Sequence, residues 1–275
     1  MTSSFRSRRS NLRSAPIEAV SAAIETEEAI EARIAERFEI LSTLTEASVR
    51  GEARALIVSG PPGLGKSFTV ERALNAWDPN EVNHTIIKGY VKATGLFKTL
   101  YQFREEGQVI VFDDADAIFY DDVALNLLKA SCDTTDRRRV SWRSEAKFVD
   151  EDTAEIIPSS FDFNGTIIFI TNLDMDGMVD RGHKLAPHLE ALISRAHYID
   201  LSLKTRRDYL IRIRQVIEEG MLNSLTIEQK VDVLTFIEVH ADSLRELSLR
   251  MAIKIANLRR ANPDWERLAR VTCLR

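Results

Sequence analysis

The chain has 275 residues, 37 of them Lys or Arg and 42 Asp or Glu, for a formal net charge of −5. Its 44% hydrophobic and 29% charged residues, with 11 Gly and 7 Pro, exclude a disordered or fibrous protein, and the net charge excludes a generic polycation that coats nucleic acid. No run of 18 apolar residues occurs, so no contact with a membrane is expected, and two cysteines (Cys132 and Cys273) exclude a disulfide framework or a structural zinc site and point to a reducing compartment, the cytoplasm.

Residues 1–16 carry Arg6, Arg8, Arg9 and Arg13 with no acid and little apolar mass. They are expected to form a disordered basic tail, although the composition also matches a transit peptide and the charge also suits nucleic acid. Residues 17–50 place Ile17, Val20, Ile24, Ile30, Ile34, Phe38 and Leu41 near helical spacing, which predicts an N-terminal helical extension closed by Gly51. From 51 to 203 short apolar runs alternate with helical stretches. The runs 55–59, 84–88, 109–112, 166–171 and 198–201 are nearly continuous in apolar residues, as strands buried on both faces are. An α/β domain with a parallel sheet of about five strands, covered by helices on both sides, follows from that pattern. From 204 to 275 the strands stop. Helices are expected at 204–219, 226–240, 243–261 and beyond Pro263, in a segment holding 14 Lys+Arg against 10 Asp+Glu. This part reads as an all-helical lid.

Directly after the first strand comes Gly60-Pro61-Pro62-Gly63-Leu64-Gly65-Lys66-Ser67, followed by a helical run that begins with Phe68. Two glycines five apart followed by Lys and Ser, between a strand and a helix, make a P-loop. Gly60, Gly63 and Gly65 let the backbone turn tightly and aim its N–H groups at phosphate oxygens, with the helix dipole adding its positive end. Lys66 is expected to reach the β- and γ-phosphates and Ser67 to ligate Mg²⁺, so ATP and Mg²⁺ are the expected cofactors. The third strand ends in Asp113-Asp114. Asp113 is placed to hold Mg²⁺ with Ser67, and Asp114 to orient or deprotonate the attacking water, although acids at a strand end can instead cap the next helix.

With these motifs the chain resembles the AAA+ ATPase family, and later segments extend the resemblance over about residues 50–260. Ile168-Phe169-Ile170-Thr171-Asn172 is similar to the sensor-1 strand, which implies Asn172 near the γ-phosphate. Ala191-Leu192-Ile193-Ser194-Arg195 resembles the arginine-finger segment of sliding-clamp loaders, which implies Arg195 acting in a neighbour's site, with Arg181 a weaker candidate. Asp242-Ser243-Leu244-Arg245-Glu246-Leu247-Ser248-Leu249 is similar to a sensor-2 segment at the start of a lid helix. There Arg245 is the implied sensor and Arg250 the alternative. Thr94-Gly95-Leu96-Phe97 and Ala124-Leu125-Asn126-Leu127 look like small phage- or virus-encoded members. The resemblance implies an ATPase in a homo-oligomeric ring, expected as a hexamer. One departure is Asp114, where the family usually has Glu. The shorter side chain implies slow or partner-triggered hydrolysis, or an ATP-gated assembly switch.

In this family the loops facing the ring channel follow the second strand and precede the sensor-1 strand. The first loop here carries Tyr90 and Lys92. Its aromatic-aliphatic pair is similar to a peptide-gripping loop, its lysine suits a phosphate, and packing of Tyr90 at the strand end is the plain alternative. The second, within 133–165, carries Arg137, Arg138, Arg139, Trp142, Arg143 and Lys147 and is expected to form a β-hairpin insertion. Cations around one aromatic suit a single nucleic-acid strand, held by charge and a stacked base; Trp142 as a hairpin anchor is the alternative. A motor, loader or remodeller of nucleic acid is therefore the leading expectation, with a protein remodeller second. The five histidines show neither metal-ligand spacing nor a nucleophile partner.

Overall fold

The computed structural model describes residues 25–144, 147–150 and 153–275. The expected basic tail (1–16) and the first residues of the helical extension (17–24) lie outside the described residues. The remainder of the extension is one helix, α1 (Glu27–Val49), with Thr26 accepting from the Ala29 N–H and Glu27 and Glu28 in the positive first turn. Spacings of three and four bring Ile30, Ile34, Phe38, Leu41, Thr45 and Val49 onto its buried side.

There follow β1 (Ala55–Ser59), α2 (Lys66–Trp77), β2 (His84–Lys88), α3 (Ala93–Gln102) and β3 (Val109–Asp113). After a 3-10 turn come α4 (Asp122–Ser131), then β4 (Arg139–Ser141), β5 (Phe148–Val149), β6 (Ile156–Ile157) and β7 (Ser160–Asp162). The sheet resumes with β8 (Thr166–Thr171), then α5 (Met175–Asp180), α6 (Ala186–Ile193) and β9 (His197–Asp200). The five long strands form one parallel sheet in the order β2-β3-β8-β1-β9. Every residue of β1, β3 and β8 is buried. The registers Ser59↔Thr171 and Asp113↔Ile170 align the carboxyl ends of β1, β8 and β3. Three loops therefore meet at one edge, where open α/β sheets bind ligands.

Alternate residues of each strand feed two cores. Ile57, Phe112 and Phe169 pack with Phe97, Leu100 and Leu128, while Leu56, Val58, Val111 and Ile168 pack with Ile34, Leu41 and Leu74. A third core belongs to the terminal helices α7 (Arg206–Val216), α8 (Ile227–Val239), α9 (Leu249–Ala261) and α10 (Trp265–Cys273). A π-helical turn, Ile217–Met221, closes α7, with Gly220 at φ 109°.

Several boundaries differ from expectation. β9 starts one residue early, and β3 runs on to Asp113. α9 starts at Leu249 rather than near 243, because the Ser248 hydroxyl caps it by accepting from Met251 while Leu244 is drawn into a bridge with Leu274. The insertion before β8 is a hairpin, β4 against β7 and β5 against β6. Its return is split at Pro158, which has no N–H for the ladder.

Candidate nucleotide site

The P-loop leaves β1 and enters α2 with Gly60 (φ 146°), Gly63 (φ 74°) and Gly65 (φ 94°) all at positive φ. Glycine adopts that conformation without steric cost, and at Gly63 a side chain would also collide with Ser248, its Cβ only 2.7 Å from the Ser248 Cβ. Gly65 is the N-cap of α2, and no side chain caps that end, so the first N–H groups of the helix face the cleft with their dipole intact.

Lys66 is buried, and its ammonium donates to the carbonyls of Gly60 (2.6 Å) and Pro61 (2.9 Å) and to Asn172 Oδ1 (2.9 Å). Burial pulls its pKa down from 10.5 to about 8, opposed by the nearby charges of Asp114 and Asp113. The Asn172 Nδ2 donates in turn to Asp114 Oδ1 at 2.7 Å. Asp114 sits at φ 53°, a conformation that Asp tolerates better than Glu, with its N–H fixed on the Ile170 carbonyl at 2.9 Å. Asp113, next to it, is buried and accepts from Ser67 Oγ at 2.9 Å. Lys88 approaches the other Asp113 oxygen at 3.4 Å while pairing with Glu71 at 2.7 Å. Behind the cleft, burial pushes the Asp116 carboxyl up, and Thr171 Oγ1 donates to it at 2.6 Å.

The lid forms the opposite wall. The Leu249 N–H donates to the Gly63 carbonyl at 2.8 Å, which fixes the first turn of α9 on the P-loop. Arg250, in that turn, points Nη2 to within 3.7 Å of Asp114 Oδ2. Phe68, Met221, Leu249 and Ile253 line the apolar part of the same cleft. The donor set suits Mg²⁺-nucleotide. Ser67 and Asp113 are paired hard oxygens, and among the described residues no group of three or more His, Cys, Asp or Glu could cage a metal ion by itself. Mg²⁺ is commonly held by one or two protein oxygens together with phosphates and water.

Of the site residues read from the sequence, the fold brings Gly60 to Phe68, Asp113, Asp114 and Asn172 to this edge. Arg245 is not among them. It is exposed, its N–H donates to the Cys273 carbonyl and its own carbonyl accepts from Arg275, and the arginine that faces the cleft is Arg250. Arg195 lies just before β9, where His197 pairs with Leu56, at the opposite end of the strands from the P-loop. Its guanidinium donates to Ala191 O at 2.6 Å and lies 3.6 Å from Asp133, in a hollow shared with Glu52, Arg54 and Thr134. Arg181 pairs loosely with Asp174 at 3.5 Å.

Tyr90 is 74% exposed, and Lys92 is exposed as the N-cap of α3. The second loop divides its residues between two faces. Arg138 is buried over the Phe163 ring (5.2 Å) and donates to Ser131 O at 3.0 Å, so it is a structural cation. Trp142 packs on Phe97 and Phe148, with ring centroids 5.7 and 5.3 Å away, and anchors the hairpin instead of presenting a stacking face. Arg139 and Arg143 are exposed, while Arg137 is paired with Asp162 at 2.9 Å. Arg212 and Met221 border the site without having been read from the sequence, and Arg212 stands there as an ordinary cation in a helix.

Over 250 residues, 89% of its length, the chain is 37% identical to an uncharacterized 36.7 kDa protein from the nrdC-mobD intergenic region of Enterobacteria phage T4, covering 76% of that protein. The chain belongs to the same family as this phage protein. No family model matches it. Among solved structures it is similar to the Thermotoga maritima RuvB Holliday junction branch migration motor, at 19% identity and a TM-score of 0.45 over 90% of this chain and 69% of that one. It is also similar to domain III of the Thermotoga maritima replication initiation protein DnaA, at 15% identity and a TM-score of 0.43 over 84% of this chain and 83% of that one. The strand order, the P-loop after β1 and the terminal helices make the chain a P-loop NTPase αβα fold with a C-terminal helical part. Among the described residues no helix is long and apolar enough to cross a membrane.

Proposed function

We propose that this chain is a Mg²⁺-dependent ATPase whose body, residues 51–203, and helical lid, 204–275, close on ATP between Gly63 and Leu249. The observation that carries this reading is the chain of contacts Lys66–Asn172–Asp114 beside the Ser67–Asp113 pair, all at the uncapped N-terminus of α2. Mg²⁺, when bound, supplies charge neutralisation at the phosphates, with Ser67 and Asp113 as its protein ligands. Lys66 exchanges its two carbonyl partners for phosphate oxygens, a stronger charge-assisted bond. Asp114 takes the proton of the attacking water, and Asn172 holds that carboxylate in place. Arg250 is the lid residue that senses the phosphate end, in place of Arg245. Arg195, too far along the sheet to reach its own cleft, serves the cleft of a second copy in a ring.

Nucleic acid is the substrate that the insertion favours. Strand alternation turns Arg139 and, beyond Ser141, Arg143 to solvent while Val140 and Trp142 face the core, so phosphate contacts rather than base stacking supply the affinity. ATP turnover measured with and without single-stranded DNA tests this. Stimulation that disappears in an Arg139→Ser/Arg143→Ser variant supports it, and turnover indifferent to DNA contradicts it. The exposure of Tyr90 favours a second reading, a protein remodeller. That reading requires Tyr90→Ala to abolish activity while leaving DNA binding intact.

A further inference from the structure

Two groups of the lid grip the P-loop on consecutive carbonyls. The Leu249 N–H donates to the Gly63 carbonyl at 2.8 Å, and Arg212 Nε, from α7, donates to the Leu64 carbonyl at 3.3 Å. Arg212 is among the largest fully buried side chains in the molecule, and it is held on several sides. Its guanidinium lies 3.4 Å from the centroid of the Phe38 ring of α1, and Nη1 reaches Gln215 at 3.5 Å and Glu219 at 3.3 Å. A Cβ added at Gly65 would stand 3.5 Å from Nη2, so the guanidinium backs directly onto that residue. Nη2 itself has no hydrogen-bond partner among the described residues. A buried donor left unpaired is costly, and an apolar side chain would avoid both that cost and the burial of a charge. What an apolar side chain could not supply is the Nε–H to Leu64.

Peptide geometry gives that contact a use. The Leu64 C=O and the Gly65 N–H belong to one planar trans unit and point in opposite directions. A donor that fixes the carbonyl on the Arg212 side therefore turns the N–H away from Arg212, toward the cleft that Gly65 lines. The Gly65 N–H has no hydrogen-bond partner among the described residues, which leaves it for a phosphate oxygen. Glycines at positive φ on both sides of Leu64 leave this stretch of backbone little local constraint, so its orientation depends on what holds it from outside.

We propose that Arg212 is a positioning residue for phosphate binding, which holds the Leu64–Gly65 peptide from the lid side so that the Gly65 N–H faces the phosphates. The coupling runs both ways. An N–H bonded to phosphate polarises its peptide and makes the Leu64 carbonyl a better acceptor, so bound phosphate tightens the lid on the P-loop. The proposal rests on the nucleotide-binding reading above.

The test compares two substitutions that both remove the cation, its stacking on Phe38 and its pair with Glu219. Arg212→Met leaves a methyl group at the ε position, whereas Arg212→Gln leaves an N–H donor there. Equilibrium binding of inorganic tripolyphosphate, with adenosine as the phosphate-free probe, reads the difference. Arg212→Met should bind tripolyphosphate about tenfold weaker than wild type and adenosine within about twofold, and Arg212→Gln should recover tripolyphosphate affinity to within about threefold. A merely structural role would give both variants the same loss. Equal tripolyphosphate affinity in folded Arg212→Met and Arg212→Gln overturns the proposal. In wild type, an NMR titration with tripolyphosphate should shift the Gly65 amide and the Arg212 Nε–H with one midpoint. Tripolyphosphate binding that leaves either resonance unmoved overturns the proposal even where neither variant folds. Absence of tripolyphosphate and ATP binding to wild type, matched by Lys66→Ala, overturns the nucleotide reading itself.

Discussion

The Asn172 side-chain amide stands between Lys66 and Asp114, accepting from the Lys66 ammonium at 2.9 Å and donating to the Asp114 carboxylate at 2.7 Å. One residue from the end of β8 thus joins the P-loop after β1 to the acid after β3, and it can do so because β8 lies between those two strands. The amide matters as a two-ended group. An aspartate there would repel Asp114, and an alanine would leave both partners short of a bond.

Asn172→Ala should therefore leave ATP binding within about threefold of wild type but lower turnover by about 10²-fold, the typical cost of losing one aligning contact in an active site. Asp114→Asn should bind ATP normally and turn over at background, with stability within about 0.5 kcal/mol of wild type, since Asn accepts a positive φ as readily as Asp. Single-turnover hydrolysis and chemical denaturation check the pair.

Lys66 gives two pH dependences of opposite sign. Burial lowers its pKa to about 8 from 10.5, so between those values the unfolded chain holds the proton that the fold has released. The contribution of this group to stability accordingly rises as pH is raised from about 8 toward 10.5. Triphosphate binding requires the ammonium, so affinity should fall as pH rises through about 8. Binding isotherms between pH 7 and 9.5, set beside denaturation midpoints over the same range, check both signs, and Lys66→Ala should flatten each.

Gly63→Ala places a methyl group 2.7 Å from Ser248 Cβ at a φ of 74°. The lid must shift, breaking the Leu249–Gly63 hydrogen bond. Stability should fall by about 1–3 kcal/mol and nucleotide affinity by tenfold or more. Ser248→Gly, which removes the colliding atoms, should restore part of the affinity in the double variant.

Within the insertion, position on the strand decides the consequence. Trp142→Ala should cost about 2 kcal/mol and lower Tm by about 5 °C through loss of the contacts with Phe97 and Phe148. Arg139→Ser with Arg143→Ser should leave Tm unchanged and reduce the slope of log K against log salt by about 1.4 for single-stranded DNA. Melting curves and a salt titration separate the two classes.

The strands 55–59 and 166–171 were legible because a strand buried on both faces leaves a nearly unbroken apolar run, and the P-loop because its chemistry depends on local backbone geometry. The second loop was legible as a hairpin, but not which of its residues face the core. Arg138 and Arg139 are neighbours in sequence and face opposite ways, and which one is buried follows from the pairing Val140↔Phe161, a contact across 21 residues. Which of the two candidates Arg245 and Arg250 faces the cleft was hidden for a similar reason. A helix was expected from about residue 243, and the bridge Leu244↔Leu274 holds that stretch out of it, so that it starts after the Ser248 cap. Arg212, between Ile211 and Ile213 in a charged helix, has no sequence signal that distinguishes it from Arg214, which pairs with Glu27 and Glu238 nearer the surface.

The central claim is that the contacts around Lys66 form an ATP-hydrolysing site. Steady-state phosphate release from Mg²⁺-ATP by wild type, Lys66→Ala and Asp114→Glu tests it most directly. The account predicts turnover in wild type, none in Lys66→Ala, and a changed rate in Asp114→Glu because the added methylene moves the carboxylate by about 1.5 Å. Equal phosphate release from wild type and Lys66→Ala, with ATP shown to bind both, would contradict it.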